Sequence, residues 1–113
     1  MKYFNSEDRK ETLGGEYSHV KELQIRTHTY TSGSIYTGEW LGGLRHGKGK
    51  MQWPDGATYE GEWSYNMAFG KGKFVHVEGD VYHGKFANNK ANGFGTFTNM
   101  SGARYEGMWQ DDK

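Results

Sequence analysis

The chain repeats itself every 23 residues, and no other property limits its fold as sharply. Tyr36, Tyr59, Tyr82 and Tyr105 are evenly spaced. Two residues after each stands a glycine (Gly38, Gly61, Gly84, Gly107), and two further on an aromatic (Trp40, Trp63, Phe86, Trp109). Each complete unit continues to a Gly-x-Gly pair, at Gly47/Gly49, Gly70/Gly72 and Gly93/Gly95, and closes on a turn glycine at Gly56, Gly79 or Gly102. A fixed period of this length is the signature of a repeat architecture. Stacked copies of one unit build an extended surface before they build a catalytic cleft.

The units run 36–58, 59–81 and 82–104, the last altered in several places, and residues 105–113 supply only the opening strand of another. Residues 13–35 keep the period in degenerate form: Leu13-Gly14-Gly15-Glu16-Tyr17 lies one period before Tyr36-Thr37-Gly38-Glu39-Trp40, while Gln24-Ile25-Arg26 replaces Gly-x-Gly. Residues 1–12 are polar, carry no repeat signal and read as an arm or cap. A sequence ending part-way through a unit leaves an unpaired strand edge. The expected explanation is a longer array from which the chain is cut, with an edge covered by a partner or a second copy as the alternative.

Within a unit the pattern has period two, the strand period. Tyr36, Gly38 and Trp40 share a face opposite Thr37 and Glu39; Gly47, Gly49, Met51 and Trp53 share a face opposite Lys48, Lys50 and Gln52. Between these runs lie Leu41-Gly42-Gly43-Leu44-Arg45 and its counterparts at 64–68 and 87–91, whose Gly and Asn residues supply the positive φ of tight hairpin loops. Pro54-Asp55-Gly56 is turn chemistry between hairpins. The expected fold is all-β: an elongated, single-layer antiparallel meander of 23-residue β-hairpins over 13–113.

A lone sheet needs something to cover its apolar face. Only 34% of residues are hydrophobic, but aromatics make up 16% and there are 18 glycines. Buried surface must come from rings, each removing roughly 150–250 Å² from water. A missing side chain on a strand marks close approach of something bulky, so Tyr and Trp are expected to lie over glycine backbone on the neighbouring strand. On that reading Gly61→Val drives a Cβ into a packed ring and costs several kcal/mol.

Charge and chemistry exclude more than they suggest. Lys plus Arg equals Asp plus Glu at 14 each, against the basic excess of a nucleic-acid binder. The absence of Cys excludes disulfides and thiolate metal sites. No apolar run approaches the ~20 residues of a membrane span, and Met1 to Asp8 lacks the apolar segment of a secretory signal; a cytoplasmic protein is expected. Gly47-Lys48-Gly49-Lys50-Met51 lacks the Gly-Lys-Ser/Thr ending of a phosphate loop and precedes no helix pattern, so its glycines read as structural. His19, His28, His46, His76 and His83 show no metal-ligand spacing; His46 is expected to close a turn by hydrogen bonding. Asp55 and Asp80 beside turn glycines are expected to bond their own backbone. No nucleophile, cofactor site or metal site emerges, and no enzymatic activity is expected.

Two surfaces remain as candidates. Arg45, Lys48, Lys50, Lys71 and Lys73 recur at matching unit positions and are expected to form a stripe that can meet anionic lipid head groups, or else a solvated face balanced by Glu39, Glu60 and Glu62 through cross-strand pairs. Val75, Val77, Val81, His83, Phe94 and Met108 turn the outward face apolar toward the C-terminal half, which marks either a partner surface or a local packing variant.

The run Tyr59-Glu60-Gly61-Glu62-Trp63, with His46-Gly47-Lys48-Gly49 and Pro54-Asp55-Gly56, closely resembles the membrane occupation and recognition nexus (MORN) repeat. The likeness is strong over 36–109 and weak over 13–35. It departs at Phe69 and Asn92, which stand where His46 fits, at Phe86 in place of Trp, and at Met108 in place of Glu. The resemblance implies a hairpin array and a non-enzymatic scaffold that tethers to membranes, organises cytoskeletal or ciliary structures, or binds a partner helix; in some relatives such repeats accompany a lipid kinase or methyltransferase domain. The preferred expectation is an interaction module docking a protein partner, or a second copy, through the ringed groove or the Val/Phe-rich face. An anionic-lipid binder and a regulatory segment of a larger enzyme are the alternatives.

Overall fold

The computed structural model describes residues 3–4 and 22–113. They hold eight strands and no helix: β1 (Leu23–Thr29), β2 (Ile35–Leu41), β3 (Leu44–Gln52), β4 (Thr58–Ser64), β5 (Met67–Val75), β6 (Val81–Ala87), β7 (Lys90–Thr98) and β8 (Arg104–Trp109). All eight form one antiparallel sheet in sequence order, with overall extents of 47 × 26 × 21 Å. Each repeat is one hairpin, β2–β3, β4–β5 or β6–β7, and β8 opens the next. The degenerate unit expected at 13–35 lies outside the described residues over 13–21; β1 is its second strand.

The hairpin loops form because their residues tolerate left-handed backbone. Tyr65-Asn66 and Asn88-Asn89 all have positive φ, the two-residue geometry that matches strand twist. Between hairpins a second turn recurs: the Trp53 N–H donates to the Ala57 carbonyl at 2.9 Å, the Gly56 N–H donates to the Trp53 carbonyl at 3.0 Å, and His76–Asp80 and Asn99–Ala103 repeat the pattern.

The register places seven glycines in a row across the sheet. Gly38 faces Gly49, Gly49 faces Gly61, and so on through Gly72, Gly84 and Gly95 to Gly107. The rings lie over this row as expected: a Cβ added at Gly72 would strike the Tyr59 hydroxyl and lie 2.5 Å from its Cε1. Two expectations need correction. At Gly61 an added Cβ meets the Gly72 Cα and, at 2.6 Å, the Lys71 carbonyl oxygen before it meets a ring, so the close approach there is backbone to backbone. The first glycine of each Gly-x-Gly pair does not share the ring face. Pairing shifts between Gly61 and Trp63, Gly70 has φ +81, and a Cβ there would meet the Glu62 carboxylate. Gly47, Gly70 and Gly93 are bulge residues, and a strict period-two reading runs through a bulge without seeing it.

Candidate functional site

One face of the sheet carries a continuous aromatic ladder. Each repeat tyrosine touches its own unit's ring and that of the next: Tyr36 to Trp40 (5.0 Å) and Trp63 (5.3 Å), Tyr59 to Trp63 (5.2 Å) and Phe86 (4.9 Å), Tyr82 to Phe86 (5.1 Å) and Trp109 (5.4 Å), and Tyr105 to Trp109 (5.2 Å). All are edge-to-face, an arrangement contributing about 0.5–1.5 kcal/mol per pair beyond area burial. Hydrogen bonds pin the rings. Tyr36, Tyr59 and Tyr82 donate to the carbonyls of Glu39, Glu62 and Lys85 at 2.8–2.9 Å. The indoles of Trp40, Trp63 and Trp109 donate back to Arg26, Gly49 and Gly95 at 3.0–3.3 Å; Phe86 has no N–H for this bond. Burial pushes the Tyr36, Tyr59 and Tyr82 hydroxyls to pKa values above the ordinary 10.0.

Arg45 belongs to this ring face, which corrects its place in the lysine stripe. It is 3% exposed. Its guanidinium lies 4.8 Å from the Trp63 ring centre and 5.4 Å from that of Tyr30, and donates to the Tyr30 hydroxyl and the Asn66 carbonyl, each at 3.0 Å. A planar, weakly hydrated guanidinium stacks on aromatics where an ammonium stays in water, so charge alone misplaced it.

The ring face also holds two residues from outside the repeats. Tyr3 packs on Trp53 (4.9 Å) and Phe74 (5.3 Å) and donates a 2.7 Å hydrogen bond to Asp55. Burial, reinforced by that carboxylate, pushes its pKa up to about 12. Phe4 touches Trp53 (5.2 Å), Tyr59 (5.4 Å), Trp63 (5.8 Å), Phe74 (6.3 Å) and Phe86 (6.5 Å). Sequence reading passed over them because they sit in a polar stretch; the one available signal was two adjacent aromatics there.

The opposite face is charged. Lys48 stands in register with Glu62, and Glu60 with both Lys50 and Lys73, but Lys71 faces Lys85 and Lys73 faces His83. Glu39 and Glu62 also hold the bulges, accepting the Lys48 and Lys71 backbone N–H groups at 2.7 and 3.3 Å. The expected partner residues fall into two pairs on this side. Val75 faces Val81 and Phe94 faces Met108, with His83 and Thr96 between them; Val77 lies in the following turn. Phe94 and Met108 are the most open, at 55% and 69% exposure.

His46 closes a turn as its position suggested: its Nδ1 accepts the Tyr65 N–H at 3.1 Å. Asp55 accepts the Ala57 N–H at 3.0 Å within its own turn, whereas Asp80 accepts from Met100 in the next one. Among the described residues no group of three or more His, Asp or Glu is placed to hold a metal.

A one-layer sheet of hairpins with a laddered aromatic face and a glycine spine defines a repeat protein built for contact. MORN repeat models match residues 36–58, 59–81 and 82–104. These span more than half of the chain, which therefore belongs to the MORN repeat family. No curated protein is similar enough to the chain to match it.

Proposed function

We propose that the chain is a non-enzymatic interaction module whose ring face docks an extended segment of a protein partner. One observation carries this reading: Tyr3 and Phe4, which belong to no strand, are seated on that face by ring contacts, with a hydrogen bond from Tyr3 to Asp55. The face carries aromatic rings at a fixed repeat, buried from Tyr36 to Phe86 and part-open at Phe97 and Trp109, which suits recognition of a side chain entering beside those two rings. The Val/Phe-bearing charged face and the row of Lys48, Lys50, Lys71 and Lys73 are the rival surfaces; the opposition of Lys71 and Lys85, two like charges side by side, is what speaks for an anionic lipid.

Phe97 and Phe94 sit on one strand and point to opposite faces, so they separate these readings. A photo-crosslinking phenylalanine at position 97 is expected to capture one partner segment repeatedly from native extract, while the same group at 94 captures none. Crosslinks confined to 94 would overturn the assignment. So would flotation with phosphatidylserine vesicles that is salt-sensitive and abolished by Lys→Glu changes at 48, 50, 71 and 73, if position 97 captures nothing.

A further inference from the structure

The repeat builds the same cleft three times and fills it differently each time. The position that opens β3, β5 and β7 inward is Arg45, Ala68 and Ala91, one period apart and buried in every unit. In the first unit the side chain itself occupies the space, with the Arg45 guanidinium over Tyr30 and Trp63. In the second it is Ala68, and Phe4 enters against Trp53, Tyr59, Phe74 and Phe86. In the third it is Ala91. There the described residues leave a cleft of about 370 Å³ walled by His76, Tyr82, Phe97 and Trp109. Those four stand one period beyond Trp53, Tyr59, Phe74 and Phe86, four of the five rings that touch Phe4.

The third cleft is not a plain copy of the second. Asp80 and Asp112 line it, where the second unit has Ala57 and Asn89. One oxygen of each carboxylate accepts a backbone N–H, from Met100 at 3.0 Å and from Ala91 at 2.7 Å, which fixes both side chains at the site. The first cleft shows that these rings accept a cation, the second that they accept a phenyl group, and the third joins aromatic walls to anionic ones. We infer that the third cleft is a receptor for an aromatic side chain of an extended peptide that carries Lys or Arg beside the ring. The ring stacks edge-on against Tyr82 and Trp109, as Phe4 does against Tyr59 and Phe86, and the cation meets Asp80 and Asp112. This deepens the docking function proposed above and rests on it. The chain's own Lys2-Tyr3-Phe4 has the same chemistry.

The test uses the full chain and a capped pentapeptide, Lys-Tyr-Phe-Asn-Ser, copied from residues 2–6. Saturable binding is expected, with movement of the Trp109 indole N–H resonance. Ala91→Arg restores the first unit's occupant and is expected to weaken binding by about tenfold or more; Ala91→Met, an apolar filling, serves if the Arg variant melts early. A peptide with Phe changed to Ala or Lys to Glu is expected to bind more weakly. Absence of saturable binding to the wild type, binding to both filled variants as tight as to the wild type, or a Trp109 resonance that does not move would overturn the inference. The Phe4→Ala chain, whose second cleft is open, tells the two failures apart. If it binds the peptide while the wild type does not, the ring face docks aromatic segments and only the third cleft is misassigned; if neither binds, the docking function falls too.

Discussion

Gly61 and Gly72 meet across β4 and β5 with no room for a side chain between them. The clash at Gly61 is with the Gly72 Cα and the Lys71 carbonyl, groups fixed by ladder hydrogen bonds on both sides, and a backbone yields less readily than a ring. Gly61→Val is therefore expected to cost on the order of 3–5 kcal/mol, in the range reserved for severe core disruption. Chemical denaturation measures it, and a midpoint unchanged from wild type would refute the glycine-spine packing. The tyrosines over that spine make a different prediction. Tyr36 and Tyr59 are fully buried and their ionisation is suppressed by burial. Below pH ~10 both folded and unfolded chains keep these protons; above it the unfolded chain releases them and the folded chain does not, so stability falls by about 1.4 kcal/mol per pH unit for each buried tyrosine. Tyr59→Phe loses the bond to the Glu62 carbonyl and about 1 kcal/mol at neutral pH, yet its stability is expected to decline less steeply in alkali than that of the wild type. Urea titrations on both sides of pH ~10 read the two slopes; parallel slopes would show that Tyr59 ionises freely in the folded chain.

At the scale of the hairpin, one loop residue stitches each unit to the one before. The Asn66 N–H donates to the Arg45 carbonyl at 2.9 Å, and its side-chain oxygen accepts the Arg45 N–H at 2.9 Å. Asn89 treats Ala68 in the same way, and Asp112 treats Ala91. The residue must also sit at positive φ, +72° for Asn66, which Asn tolerates better than most. Asn66→Ala loses the acceptor for a buried N–H, a penalty of about 1–3 kcal/mol, and adds left-handed strain; Asn66→Gly relieves the strain alone and is expected to recover part of the loss. Thermal stability of both variants equal to that of the wild type would deny the stitch. The hairpins, their loops and the faces of Tyr, Trp and Lys were legible because period two, the 23-residue repeat and turn chemistry all agree. Gly47, Gly70 and Gly93 were misplaced because a bulge adds residues to one strand without altering the alternation on which the reading relies. Arg45 was misplaced because hydropathy cannot distinguish a stacked guanidinium from a solvated ammonium. The third cleft could not be read at all, since it depends on what Ala91 omits and on Phe4, which lies outside the repeat.

Among the described residues, strand contacts run mainly between neighbours and the ladder's ring contacts reach only the adjoining unit, so stability is approximately a sum of unit and interface terms. Phe4 breaks that pattern. It touches Trp53 from unit 36–58, Tyr59, Trp63 and Phe74 from 59–81, and Phe86 from 82–104, tying together three units that otherwise communicate one interface at a time. Phe4→Ala removes the ring and leaves an apolar cavity on the second cleft. Because the site is only part-buried, the loss is expected near the lower end of large-to-small substitutions, about 2–3 kcal/mol. A residue merely resting on the surface would cost no more than about 0.5 kcal/mol. The shape of the transition carries further information. With Phe4 in place the three units share one docked ring, and thermal unfolding followed by tryptophan fluorescence and by far-UV circular dichroism is expected to coincide. Without it the central interfaces lose their common partner, and the two probes are expected to separate as the array unfolds in parts. Coincident transitions with an unchanged midpoint would mean that Phe4 is a passenger, and the second cleft would then be no guide to what the third one binds.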